Sequence, residues 1–125
     1  MSRFLTALNV ELIDDRSNDG RGRWILTLPL VYESDLLKSE IIVPIGFETD
    51  YASVPRVPLA FWLTGDTAHS AAVLHDYLYS TQKYSRSIAD GILYEAAGIS
   101  GVPDWRARVM WAGVRAFGWF AWSKK

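Results

Sequence analysis

Apolar and polar positions change rhythm twice along the chain. From Leu5 to Ile13 they alternate loosely, near the period of a half-buried strand. A polar cluster from Asp14 to Gly22 interrupts them, and the Asp19-Gly20 pair inside it predicts a hairpin. Trp24 to Tyr32 then reads as one strand. Pro29 within it argues for an edge position or a bulge, because proline cannot donate to a ladder. After a second polar break, Glu33 to Glu40, the run Ile41-Ile42-Val43 makes a third strand that ends near Pro44-Ile45-Gly46. Residues 1–48 are therefore expected to be β-rich.

Residues 49–65 show no period, and Pro55, Pro58 and Gly65 keep that backbone irregular. Ordered loops of such length in small domains are more often functional than not. From Asp66 onward the pattern is helical. Asp66 or Thr67 is suited to cap a helix running to about Ser80, and Ser85 to cap a second one ending at Gly98. Pro103-Asp104 opens a third, which carries through to Trp122. No repeat, low-complexity tract or linker divides the chain, so 1–125 is expected to be a single domain. Strands come first and helices follow, which predicts an α+β fold: a small N-terminal antiparallel sheet packed against three C-terminal helices.

Composition narrows the function classes. The chain has 125 residues, half of them hydrophobic, with a formal net charge of −1. That balance gives no basic excess for nucleic acid, which is not expected as a partner. There is no cysteine, so disulfides, thiolate metal sites and cysteine nucleophiles are excluded, and a reducing compartment or a protected assembly is mildly favoured. Neither a signal peptide nor an apolar run of about 18 residues is visible, so no transmembrane helix is expected.

The residues that could carry chemistry lie between Thr49 and Asp90. On a helix, His75 and Tyr79 stand one turn apart on one face, while Asp76 is turned away by about 100°. Arg86 and Asp90 repeat the one-turn spacing on the next helix. Antiparallel packing across the short connection 81–84 would bring Asp90 beside His75. A neutral imidazole can take a proton from water near neutral pH, and a carboxylate such as Asp90 would fix its tautomer. Tyr79 could bond the same carboxylate. Asp76, facing elsewhere, and Asp50 in the irregular loop could hold a hard cation such as Ca2+, which takes carboxylate and carbonyl oxygens.

Four segments also carry a resemblance. Thr49 to Pro55, His75 to Tyr79, Arg86 to Asp90 and Val114 to Gly118 make the chain similar to a family of uncharacterised small domains found mainly in tailed bacteriophages and prophages. The resemblance covers about residues 40–120 and implies the host cytoplasm or the virion as location. A shorter stretch, Thr49 to Tyr79, resembles the active site of prokaryotic-type phospholipase A2. That likeness implies His75 as base, Asp90 as its orienter, Tyr79 as support, and Asp50 with Asp76 as a calcium site. The cysteines that flank the phospholipase helix and the glycine of its calcium loop have no counterpart here.

Bland readings stand beside these. Thr49, Asp50 and Ser53 are also residues that shape turns through local backbone bonds. No Gly-x-Ser-x-Gly elbow surrounds Ser53. Arg86 and Asp90 could be a surface pair of small value or a buried pair that clamps together the two helices joined by residues 81–84. The last helix is basic and aromatic. It is expected to pack on the core and to meet a protein partner or a second copy, with membrane-surface contact as the other reading. Two functions follow: a metal-assisted hydrolase of an envelope ester, calcium-dependent if the phospholipase likeness holds, or a non-enzymatic virion or tail protein in which the same side chains form a buried polar network.

Overall fold

The computed structural model describes residues 2–14, 23–49 and 66–123. Among the described residues six strands precede three helices, so the α+β expectation holds. The strands are β1 (Arg3–Phe4), β2 (Val10–Asp14), β3 (Arg23–Leu26), β4 (Leu30–Ser34), β5 (Ser39–Val43) and β6 (Glu48–Thr49). They form two three-stranded antiparallel sheets, ordered β1-β4-β5 and β2-β3-β6.

The expected single strand Trp24 to Tyr32 is in fact two. β3 pairs with β2 in one sheet and β4 pairs with β5 in the other, with Thr27, Leu28 and Pro29 as the crossing. Pro29 acts here as a strand divider rather than an edge residue, since its missing N–H would break either ladder. The hairpin expected at Asp19-Gly20 lies outside the described residues, but the strands on either side of it pair as a hairpin would, Val10 opposite Leu26 and Asp14 opposite Arg23. Strand β5 ends in a turn in which the Phe47 N–H donates to the Pro44 carbonyl at 3.2 Å. Gly46 takes φ +89° in it, the left-handed position that glycine fills without steric cost.

The helices are α1 (Asp66–Thr81), α2 (Arg86–Ile99) and α3 (Asp104–Ser123). From Ser70 to Tyr79 helix α1 is buried on every side except at Tyr77, which makes it the centre of the fold. It stops at Gln82, whose backbone turns left-handed at φ 50° while its N–H returns to Leu78. Ser85 caps α2 as expected, its Oγ accepting from the Ile88 N–H at 3.2 Å. α2 runs one residue past Gly98, and it is Gly101, at φ +91°, that turns the chain toward α3. Leu26, Leu30, Tyr32 and Val43 from the sheets meet Leu74, Leu78, Ile92, Leu93, Met110 and Val114 from the helices in one apolar core. No helix among the described residues is long and apolar enough to cross a membrane.

Candidate functional site: a buried carboxylate hub

Asp90 sits on the inner face of α2 and is fully buried, as are His75 and Tyr79 on α1, all at 0% exposure. The antiparallel course of α1 and α2 brings them together. His75 Nε2 lies 2.8 Å from Asp90 Oδ1, and the Tyr79 hydroxyl donates to the same oxygen at 2.6 Å. The second oxygen faces α3, where Arg115 Nη1 donates to Oδ2 at 2.9 Å. Arg86 Nη1 stands at 3.5 Å from Oδ2, too long for a strong bond. Its guanidinium is spent instead on the α3 backbone, donating to the Val114 carbonyl at 2.9 Å and to the Arg115 carbonyl at 3.2 Å. Arg86 thus clamps α2 to α3 through backbone carbonyls, and matches neither the surface pair nor the buried Arg86–Asp90 pair between α1 and α2 that the sequence offered.

Burial by itself would raise the Asp90 carboxyl, but hydrogen bonds from His75 and Tyr79 and the nearby charges outweigh it and hold the group below its ordinary range. An ionised carboxylate only accepts, so His75 Nε2 carries the proton that faces it. Any proton His75 took from a reactant would go to Nδ1. Burial, and then the bond to Asp90, push the Tyr79 hydroxyl far above its usual pKa, so it stays a neutral donor.

Asp76 points the other way, as its rotation on α1 requires. It is buried, and its Oδ2 accepts from the buried Thr49 hydroxyl at 2.8 Å, tying β6 to α1. Asp50 and Ser53 lie outside the described residues. Among the described residues no group of three or more His, Cys, Asp or Glu is arranged to hold a metal. Calcium takes six to eight oxygens, so Asp76 alone does not make its site.

Three participants were given no role by the sequence reading, although Arg115 and Gly118 lie in the segment Val114 to Gly118 that the resemblance picked out. Arg115 lies one residue past Val114, and Arg108, two turns earlier, shares its helix face, so spacing alone does not single it out. Gly118 packs against the Tyr79 ring: a Cβ there would run into the Tyr79 hydroxyl and come within 3.4 Å of Arg86 Nη1. Glu95 is a second acceptor hub. It takes the Tyr32 hydroxyl at 2.6 Å, the Ser34 hydroxyl at 2.9 Å and the Leu36 N–H at 3.0 Å, fastening the β4–β5 hairpin to α2. An open groove of about 470 Å³ runs beside it, lined by Leu36, Tyr94, Glu95, Arg108 and Trp111, and none of the His75 group lines it.

Fold and site together define a class: a small α+β domain in which one buried carboxylate gathers polar side chains from three helices. Through residues 24–114, well over half its length, the chain belongs to the DUF1353 family, described as a protein of unknown function. The matched stretch holds Thr49, His75, Asp76, Tyr79, Arg86 and Asp90 and ends just before Arg115. No curated protein and no solved structure matches the chain.

Proposed function

We propose that this chain is a non-enzymatic assembly protein, of the virion- or tail-associated kind implied by its resemblance to phage domains, in which the His75–Asp90–Tyr79 network locks three helices together. One observation carries the reading: all three side chains are fully buried, and both Asp90 oxygens are engaged by donors on α1 and α3. A base that activates water needs access to it, whereas a saturated buried network specifies packing. Removing one partner from such a network leaves a buried charge short of a donor, which costs on the order of 3–5 kcal/mol. His75→Ala should therefore lower the melting temperature by many degrees in a thermal scan. A His75→Ala protein that melts with the wild type would sink this reading.

One contact of the same network also favours the ester-hydrolase reading. The 2.8 Å contact that fixes the His75 ring on Asp90 is also what an oriented general base requires. It predicts saturable Ca2+ binding by calorimetry, abolished in Asp76→Asn, and hydrolysis of lipid esters that falls at least about 100-fold in His75→Ala. Absence of Ca2+ binding at millimolar concentration would remove the phospholipase likeness from consideration.

A further inference from the structure

Helix α3 buries one side, through Ala107, Met110, Val114 and Gly118, and its opposite side is apolar as well. Trp105, Val109, Ala112, Ala116, Trp119 and Ser123 recur at steps of four and three, the spacing of a seam that packs against another helix. All six are exposed: Trp105 by 60%, Val109 by 50% and Trp119 by 57%, with Phe120 beside the seam at 54%. Only Ser123, at its last position, is polar. A single helix turned to solvent would carry charge along this stripe.

We propose that this seam is the contact between two copies of the chain, packed with their α3 helices antiparallel about a two-fold axis level with Val114. This names the partner of the assembly reading and rests on it. The seam is complementary to itself in that arrangement. Trp105 meets the small Ser123 of the second copy, Val109 meets Trp119, and Ala112 meets Ala116. Each bulky side chain therefore faces a smaller one, and the two alanines let the backbones approach at the centre. A parallel pair would instead set tryptophan against tryptophan at both ends and hold the helices apart over the alanines. Antiparallel helices also place opposite dipole ends together.

The area is adequate. Half-exposed rings leave about 100 Å² each, so the stripe offers on the order of 500 Å² per copy, and about 1,000 Å² between two copies reaches the size at which specific interfaces begin. A flat lipid surface would use the aromatic ends but gain nothing from the alanine notch between them.

The test uses the full chain. Sedimentation velocity should show a dimer at about 100 µM, a concentration well above a micromolar dissociation constant. Ala116→Glu should be a monomer with unchanged helical circular dichroism, since glutamate is a good helix former at an exposed position. The chain has no cysteine, which permits a geometric check. A mixture of Ala112→Cys and Ala116→Cys copies should cross-link on oxidation into the mixed dimer, in preference to either variant with itself. A wild type that stays monomeric at that concentration overturns the proposal, whether or not it adsorbs to anionic vesicles. So does an Ala116→Glu dimer, and cross-linking of each variant only with itself overturns the antiparallel geometry. A monomeric wild type leaves the His75→Ala melting result to stand by itself, so the two readings fail separately.

Discussion

At the scale of single residues, Asp90 decides how the helices are joined. Its carboxylate is buried at the meeting point of α1, α2 and α3 and survives there because donors surround it. The consequence for pH follows from the direction of its shift. The folded pKa is depressed below the ordinary carboxylate value, so the unfolded chain binds the proton more readily. The stabilisation is then complete above about pH 4, the unfolded value, and is lost as pH falls through the lower folded one. The wild type should therefore lose melting temperature steeply as pH falls below about 4, measured in thermal scans at fixed ionic strength. Asp90→Asn, less stable at neutral pH, should show a shallower decline over the same window. Parallel profiles for the two proteins would mean that other carboxylates govern the acid limb.

At the scale of elements, the helices were legible in the sequence and the strand partition was not. Ser85 and Pro103-Asp104 are local signals, and local signals fix helix ends closely; α2 and α3 start where they predict. One-turn spacing and a short connection were likewise enough to place Asp90 beside His75. Which sheet a strand joins is settled by pairing across the chain, so Trp24 to Tyr32 read as one strand although its halves lie in different sheets. The roles of Arg115 and Glu95 were hidden for the same reason, since their partners lie 25 and 59 or more positions away.

Gly118 shows how a tertiary contact reverses a local rule. Glycine inside a helix is about 1 kcal/mol worse than alanine, so Gly118→Ala should stabilise α3 on propensity alone. Its methyl group would, however, collide with the Tyr79 hydroxyl, which is held on Asp90. Overpacking of this kind costs about 1–3 kcal/mol. Gly118→Ala should therefore be destabilising in denaturant unfolding. Gly98→Ala, where a methyl group would meet nothing within 4 Å, should be stabilising by up to about 1 kcal/mol. Equal gains from both substitutions would show that Tyr79 can move aside.

At the scale of the whole molecule, neither half has a core of its own. Each sheet has three short strands and contains one of only two residues, β1 or β6, and sheets so small need a packed face to persist. That face is supplied by the helices through the shared core and through two polar ties, Thr49 to Asp76 for one sheet and Tyr32 with Ser34 to Glu95 for the other. Strands and helices should thus unfold in one transition. Helical circular dichroism at 222 nm and hydrogen exchange of the β4 and β5 amides should report the same free energy of opening in the wild type. Glu95→Ala removes the acceptor for two buried hydroxyls and an exposed N–H, and each buried donor left unsatisfied costs about 1–3 kcal/mol. If the molecule is one cooperative unit, that loss should appear equally in the helix signal and in the strand amides. If the β4–β5 amides alone lose protection while the helices melt as before, the hairpin is a separate unit that the Glu95 tie merely fastens to the helices.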